Sequence, residues 1–247
     1  MNDQQRAEII AAFEKLDTDF VLNLRALRDA VFGPDLLEGG GDNPPAEMKL
    51  PAGAKGIDVS HYQGAIDWAK VKAAGIQFTF IKASEGTGWI DDHFKRNWAN
   101  SKAAGIPRGA YHFYRFSYDP VKQADHFLEQ LGSDLGELSP VVDAEDTTTT
   151  TVKGDDLRVF CERVFEKTGR RCLVYTGGWW WTAQRLGGPQ PWVKDYPLWI
   201  AFYSDTAKQP SIPKDWATWA FWQHSNHGAV DGISGSVDLN VRGATSD

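Results

Sequence analysis

The apolar positions of residues 3–32 recur at spacings of three and four, which predicts one amphipathic helix. Its apolar stripe consists of Ile9, Phe13, Leu16, Phe20, Leu24, Leu27 and Val31. Gly33 and Pro34 end the pattern. A single helix of this length cannot bury such a stripe by itself. We therefore expect it to dock on the rest of the chain, to self-associate as a short coiled coil, or to bind a partner.

Glycine and proline are concentrated in residues 38–54, where they interrupt both helix and strand. The pattern predicts a linker at this point. The chain is thus expected to consist of an N-terminal amphipathic helix at residues 1–37, a linker at 38–54 and a main domain at 55–247.

Short apolar, β-branched runs alternate with helical patterns from residue 55 onward. Strands are predicted at 56–60, 78–83, 108–114, 140–145, 171–176, 198–203, 219–224 and 236–241. Helices are predicted at 65–74, 91–104, 119–131, 154–168 and, shorter, at 179–186. The last two gaps, 204–218 and 225–235, are too irregular for full helices. The alternation predicts parallel strands closed into an α/β barrel with five helices and eight strands.

Composition narrows the candidate functions. The formal net charge of -7 argues against a partner such as duplex nucleic acid, which needs a basic face. Eleven tryptophans favour a carbohydrate ligand, because the apolar faces of sugar rings stack on aromatic rings. Only Cys161 and Cys172 are present, and we expect two reduced, inert thiols rather than a bridge.

The first residues lack the basic and apolar runs of a signal peptide, and no stretch approaches the roughly 20 apolar residues of a membrane span. We therefore expect a chain that is made in the cytoplasm. If it acts on a cell wall, we expect another system to release or deliver it.

Acidic residues stand near the ends of three predicted strands: Asp58, the pair Asp143 and Glu145, and Asp238. In a barrel of this kind, catalytic groups lie at the carboxyl ends of the strands. Each acid is flanked by aliphatic residues, where a charge is costly unless it has a partner or a use. The sequence therefore predicts a cluster of carboxyl groups at one end of the barrel.

Asp143 and Glu145 are two residues apart on a predicted strand, so their side chains share one face with Val141. Val142 and Ala144 then face the helices. Two carboxyl groups this close should have one raised and one lowered pKa. A glycosidase needs a protonated acid for the leaving oxygen and an ionised group near the developing cation. An Asp-x-Glu triplet is common by chance. The prediction of a catalytic site therefore depends largely on the additional acids Asp58 and Asp238.

Other chemistries find less support in the sequence. His61, His112 and His224 fit no metal-binding spacing and are expected to be structural. The segment 232–236 lacks the strand–turn–helix context of a nucleophilic serine, and no phosphate-binding glycine loop is present. We expect neither a metal nor another cofactor.

Several motifs, in order and at sensible spacing, resemble glycoside hydrolase family 25, the Chalaropsis-type lysozymes that include many phage endolysins. They span about residues 55–243. The segments that carry the resemblance are GIDVSHYQG at 56–64, FIKASEG at 80–86, GAYHFY at 109–114, VDAE at 142–145, LWIA at 198–201 and GISGSVDLN at 232–240.

The resemblance implies an irregular TIM-like (β/α)5β3 barrel that hydrolyses the β-1,4 bond between N-acetylmuramic acid and N-acetylglucosamine in peptidoglycan. It implies that Glu145 is the general acid and that Asp143 either orients the substrate's N-acetyl group or acts as nucleophile. Asp58 and Asp238 match the other acids of the groove. The expected substrate-binding residues are Tyr62, Tyr111, Trp199, Tyr203, Gln223 and Glu85.

Two alternatives remain at the level of sequence. The barrel could be a non-catalytic module that binds cell-wall glycans, although a complete set of acids argues against this. It could also be a chitinase-like glycosidase that uses the same D-x-E strand. Origin from a phage would fit an enzyme without a signal peptide.

Overall fold

The computed structural model describes residues 48–150, 152–204 and 206–244. The predicted helix at 1–37 lies outside these residues, as does most of the linker, and the proposed division of the chain stays a prediction. The described end of the linker contacts the barrel. The Met48 N–H donates to the Glu137 carbonyl at 2.8 Å, and Ala54 is buried.

Eight strands of the main domain close into a barrel. The strands found in the described residues are β1 (Lys55–Val59), β2 (Phe78–Glu85), β3 (Trp89–Ile90), β4 (Arg108–Phe113), β5 (Val141–Asp143), β6 (Leu173–Gly177), β7 (Leu198–Ala201), β8 (Phe221–Gly228) and β9 (Val237–Arg242). Their order is β1-β9-β8-β7-β6-β5-β4-β2-β3, and pairing of β1 with β2 closes the ring. The short β3, which the sequence pattern missed, forms a hairpin with the end of β2.

Within the described part of the chain, five helices surround the barrel at the predicted places. They are α1 (Trp68–Ala73), α2 (Phe94–Ala103), α3 (Pro120–Leu131), α4 (Gly154–Thr168) and α5 (Ala183–Leu186), with 3₁₀ turns at His61–Gln63 and Pro191–Asp195. Local sequence explains their ends. Asp119 caps α3 by accepting from the Lys122 N–H, and Gly169 ends α4 at a φ of 67°, which a residue with a side chain adopts at a cost.

The direction of the last strand corrects the expectation of parallel strands throughout. β9 runs antiparallel to both of its neighbours, β8 and β1, whereas the other barrel pairs are parallel. A parallel connection needs a crossover of a dozen or more residues, usually with a helix. Only residues 229–236 separate β8 from β9, and they contain no helix. The chain therefore turns back on itself.

Side chains alternate between the two faces of each strand, and they form two hydrophobic cores. One core lies inside the barrel, and the other lies between the strands and the helices. Residues inside the barrel form one cluster, which contains Phe78, Phe80, Leu138, Val141, Leu173, Tyr175, Trp199, Ala201 and Phe221. Val142 and Ala144 belong to the larger cluster between the strands and the helices. The predicted orientation of β5 is thus confirmed: Val141 and the residues two and four beyond it face the barrel interior.

The two cysteines are free thiols, as predicted. Cys161 lies on α4 and Cys172 lies just before β6, and both are fully buried. Burial raises the pKa of Cys161, so the reactive thiolate form is disfavoured.

Candidate active site

The carboxyl ends of the strands surround a cavity of about 340 Å³. It is lined by Asp58, Val59, Ser60, Tyr62, Gln63, Lys82, Glu85, Tyr111, Phe113, Arg115, Asp143, Glu145 and Asp238. All four acids predicted from the strand ends are therefore in one place. A second depression of about 380 Å³, next to Leu128 and Lys167 on the helical layer, contains no comparable cluster of acids. We take the strand-end cavity as the active site.

Asp143 and Glu145 stand side by side in the wall of this cavity. Asp143 ends β5 and is 6% exposed, whereas Glu145 follows in the loop and is partly exposed. The Oδ1 atom of Asp143 is buried and has no hydrogen-bond partner among the described residues. A buried oxygen of this kind is costly, so it suits a ligand that donates a hydrogen bond.

The pKa values of this pair differ from the sequence-based expectation. Burial raises the pKa of Glu145 to about 7, and the negative charge of Asp238 adds to the rise. Burial also raises the pKa of Asp143 well above its usual range, and the neighbouring Glu145 raises it further. The expectation that one pKa falls is wrong, because desolvation penalises the charged form of both groups. The pair therefore retains a proton near neutral pH.

Asp58 and Asp238 form a second pair, which faces across two antiparallel strands. They are Cα partners in the β1–β9 ladder, and their carboxyl groups are within hydrogen-bonding reach. Burial raises the pKa of both, and the charge of Asp238 further raises that of Asp58. Like charges directly opposite each other destabilise a sheet. A proton held between the two groups removes that repulsion.

Amide groups hold one oxygen of Asp58 in place. Its Oδ2 accepts from Asn240 Nδ2 at 2.6 Å and from Gln223 Nε2 at 2.9 Å. Gln223 Oε1 in turn accepts from the hydroxyl groups of Tyr175 at 3.0 Å and Tyr203 at 2.7 Å. With Oδ2 occupied twice, the proton on Asp58 belongs on Oδ1, where it can be shared with Asp238.

A chain of charged groups lies on β2 and just after β4, the two strands between β1 and β5. Lys82 Nζ donates to Glu85 at 2.7 Å, and Arg115 Nε donates to the other oxygen of Glu85 at 2.9 Å. Arg115 also donates to buried Asp146 at 2.9 Å. Burial by itself would raise the pKa of Glu85, but the hydrogen bonds from Lys82 and Arg115 lower it. Glu85 is therefore ionised and holds two cations at the edge of the site.

The structure places three of the six expected substrate-binding residues on the cavity wall: Tyr62, Tyr111 and Glu85. Tyr62 is 82% exposed and can accept a ring on its face. Glu85 is engaged with Lys82 and Arg115, which limits it to holding those cations.

The other three expected residues lie around the Asp58 network. Tyr203 is half exposed at the rim, while Gln223 is buried and bound to Asp58. Trp199 is 2% exposed, packs on Phe80 at 4.4 Å between ring centroids, and donates from Nε1 to Asn240 Oδ1 at 2.8 Å. Direct sugar contact does not fit this burial. The geometry instead favours a role for Trp199 in supporting the floor of the site.

Several polar residues of the site were not predicted from the sequence, among them Lys82, Arg115 and Asn240. Lys82 follows Phe78 and Phe80 at alternate positions of β2, and this spacing could have indicated that it points into the barrel. Asn240 stands two residues after Asp238, so the same rule applies to it. Arg115 continues the alternation of Tyr111 and Phe113 two residues beyond the end of β4, as Glu145 does beyond β5.

His61 and His112 do not line this cavity. His112 is fully buried, pairs with Ser84 at 2.9 Å and stacks on Phe160. Burial lowers its pKa to about 3, so it is neutral. His61 pairs with Asp91 at 2.9 Å. Both are structural, as predicted.

One group among the described residues offers closely spaced metal-ligand atoms, namely Asp91, Asp92 and His93. Both oxygens of Asp91 already accept hydrogen bonds, one from His61 and one from the His93 backbone N–H. His93 Nδ1 pairs with Asp92 at 2.6 Å. These contacts account for the group as an anchor for the loop before α2.

Comparisons with known proteins agree with this geometry. The model of the family described as glycosyl hydrolases family 25 matches residues 57–233, which contain Asp58, Asp143 and Glu145. Lysozyme M1 of Streptomyces globisporus is 38% identical over 223 residues, covering 84% of this chain and 75% of that protein.

Two solved structures extend the agreement to the fold. The bacterial lysozyme from Streptomyces coelicolor gives a TM-score of 0.69 at 34% identity, covering 80% of this chain and 95% of that chain. A family 25 glycosyl hydrolase from Bacillus anthracis gives a TM-score of 0.68 at 29% identity, covering 83% of this chain and 96% of that chain. The barrel and its arrangement of strands are thus shared with solved proteins.

Proposed function

Because the chain belongs to glycosyl hydrolases family 25 and is a peptidoglycan hydrolase of the lysozyme (muramidase) type, we propose that Glu145 is its general acid and that Asp143 supports the charge that develops on the sugar. The bond that is cleaved is the β-1,4 link between N-acetylmuramic acid and N-acetylglucosamine. One observation carries the assignment of roles: Glu145, with a pKa of about 7, stands beside a buried Asp143 oxygen that has no partner among the described residues.

Glu145 fits the proton-transfer role because its pKa lies near neutral pH. Its protonated form can donate to the oxygen of the leaving sugar as the glycosidic bond breaks. The resulting carboxylate can then accept a proton from the water that completes hydrolysis. The partial exposure of Glu145 leaves its side chain accessible to both the glycan and water.

Asp143 fits a supporting role beside Glu145 in the same wall of the cavity. Its free Oδ1 can accept a hydrogen bond from the substrate's acetamido N–H, which would position the acetamido oxygen for attack. Alternatively, the same oxygen can attack the anomeric carbon itself. In either case, positive charge that develops on the ring lies next to a carboxyl group shielded from water, where electrostatic interactions are strong.

Asp58 and Asp238 support the pair without contacting the reacting bond. The charge of Asp238 raises the pKa of Glu145, which keeps the acid protonated. The amide contacts of Asp58 hold β1, β8 and β9 together beneath the cavity. Lys82 acts in the opposite sense, since its positive charge lowers the pKa of Glu145 and Asp143.

Digestion of purified peptidoglycan by the full chain tests the proposed function. We expect new reducing ends that carry N-acetylmuramic acid, identified by reduction with borohydride and mass spectrometry. Chitin, which lacks N-acetylmuramic acid, serves as the competing substrate and should release few ends. Binding to peptidoglycan without new ends would favour a non-catalytic glycan-binding module, and faster cleavage of chitin would favour a chitinase-like enzyme.

The place of action of such an enzyme is the bacterial cell wall. Among the described residues, no helix has the length and hydropathy needed to cross a membrane. Release or delivery by another system, and an origin from a phage, stay sequence-based predictions.

We further propose that residues 1–37 join copies of this chain through their apolar stripe. The support is the sequence pattern, which places seven large apolar residues along one face. Light scattering should give a larger mass per particle for the full chain than for a chain that begins at Met48, which keeps the contacts of residues 48–54 with the barrel. Monomer masses for both chains would favour docking of the helix on its own barrel.

A further inference from the structure

The three consecutive tryptophans after β6 differ in their burial. Trp180 and Trp181 are 0% and 4% exposed, and their indole N–H groups donate to the Asp146 carbonyl and to Asp215. Trp179 is 64% exposed. A large apolar ring usually gains free energy from burial, so an exposed one beside a binding site is a candidate contact for a ligand.

Gly177 shows on which side of the barrel Trp179 lies. Leu173 and Tyr175 face the barrel interior, so a side chain at position 177, two residues further along β6, would face the same way. A Cβ atom built there would lie 2.4 Å from Trp179 Nε1 and 2.8 Å from its Cδ1. The indole therefore occupies the space of an inward side chain and lies over the mouth of the barrel.

The strand register places this ring next to the acid pair. Asp143 pairs with Tyr175 across β5 and β6. Gly177 is two residues beyond Tyr175, as Glu145 is two residues beyond Asp143. Glu145 and Gly177 thus stand at about the same height on neighbouring strands, and the Trp179 ring covers Gly177.

The strand order places Tyr62 on the other side of the mouth. Going round the closed ring in either direction, β6 is four strands away from β1. Tyr62 follows β1 and is 82% exposed, and its ring lies 4.1 Å from that of His61 between centroids. Two exposed aromatic rings thus stand across the mouth from each other, and β5 with its acids is the neighbour of β6 in the wall that joins the two sides.

We propose that Trp179 is a sugar-stacking platform at one end of a groove that crosses the barrel mouth from Tyr62, and that it binds a ring of the glycan strand outside the cavity. Trp179 does not line the cavity, so it contacts a sugar beyond those held next to Glu145. The apolar face of an N-acetylated sugar is the chemistry that suits an exposed indole. The inference rests on the proposed function, because it assumes a glycan substrate.

Trp179→Ala tests the platform, with steady-state kinetics on soluble, uncrosslinked glycan strands separated by length. For long strands we expect KM to rise about three- to tenfold while kcat changes little, as loss of one aromatic contact implies. The shortest cleavable fragments should show no change in KM, because they do not reach Trp179. Trp179→Phe should recover most of the affinity, since it keeps an aromatic ring.

Gly177→Ala provides a second route to the same test. The added methyl group displaces the indole, so this variant should also raise KM for long strands. Phe165→Ala, which removes a partly exposed ring on the outer face of α4, is the matched control and should leave KM unchanged.

An unchanged KM of Trp179→Ala on long strands would overturn the proposal, and so would an equal rise for short and long strands. These outcomes differ from a failure of the proposed function, in which the wild-type chain itself would release no ends from any strand.

Discussion

The site contains two pairs of carboxyl groups that have similar composition and different surroundings. Asp58 and Asp238 face each other across the β1–β9 ladder, and Asp58 accepts hydrogen bonds from Gln223 and Asn240. Asp143 ends β5 and Glu145 follows two residues later in the loop, and Asp143 keeps a buried oxygen without a partner among the described residues. In the first pair, amide groups of the protein occupy one oxygen of Asp58, whereas the second pair leaves a hydrogen-bonding position open for a substrate.

This difference explains why four acids in one cavity need not share one role. A pair that holds a proton and accepts hydrogen bonds from neighbouring amides resists further changes of charge and supports its surroundings. A pair with an unsatisfied oxygen and a pKa near neutrality can exchange protons with a ligand. Altering each pair in turn tests this division of roles between the two carboxyl pairs.

The largest effect is expected for Glu145→Gln, which keeps the shape of the side chain and removes its acid. Activity on peptidoglycan should fall by about 10²- to 10⁴-fold, the usual contribution of general acid–base catalysis. Release of reducing ends measures the loss, and an unchanged melting temperature shows that the fold is retained. Full activity of this variant would contradict the role of Glu145.

A somewhat smaller loss is expected for Asp143→Asn. When Glu145 holds the proton of the pair, Asp143 carries the negative charge that stabilises the transition state. The amide cannot carry this charge, so kcat should fall by about 10²- to 10³-fold. The anomeric form of the first product, followed by NMR with the wild-type enzyme, adds to this test by separating retention from inversion. If Asp143→Asn changed only KM, Asp143 would be a binding residue without a part in the chemistry.

Asn240→Ala alters the surroundings of the Asp58–Asp238 pair. We expect it to lower the stability of the fold more than the catalytic rate. It removes a donor to Asp58 and leaves both that oxygen and the Trp199 N–H without this partner. We expect a loss of about 2–3 kcal/mol in the free energy of unfolding, measured by urea denaturation. Asn100→Ala on the exposed face of α2 is the control and should change little. Equal stabilities for the two variants would show that the network is not needed for the fold.

The smallest expected effect is a shift in the pH dependence of activity. Because Glu145 must be protonated and burial raises its pKa to about 7, wild-type activity should be lost as the pH rises through about 7. Asp238→Asn removes a negative charge that raises this pKa, so the alkaline limb of kcat/KM should move to lower pH. Asp231→Asn removes an equal charge from an exposed site outside the cavity and should leave the limb in place. A limb that moved equally in both variants would exclude a specific effect of Asp238.

The local pattern of the sequence was enough for most of the fold. Strands with alternating apolar positions and helices with capped ends were predicted within a few residues, because these features depend on neighbours in the chain. The antiparallel β9 and the β2–β3 hairpin were not predicted. Strand direction depends on the length and path of a connection, and two-residue strands have too little pattern to detect.

The active site, like the fold, was predicted only in part from the sequence. Residue types and their positions near strand ends identified Asp58, Asp143, Glu145 and Asp238 from the sequence alone. Parallel strands bring together the carboxyl ends that carry Asp58, Asp143 and Glu145. Asp238 stands near the amino end of β9 and joins the other acids because this strand runs antiparallel to β1. Only the tertiary structure determined the burial, the hydrogen bonds and the neighbouring charges of each acid. Burial reversed the expected fall of one pKa in the Asp143–Glu145 pair, and the β1–β9 register placed Asp58 opposite Asp238. Desolvation and hydrogen bonding act between residues far apart in the chain, so the order of the residues specifies which groups are present, and the packing determines their protonation and roles.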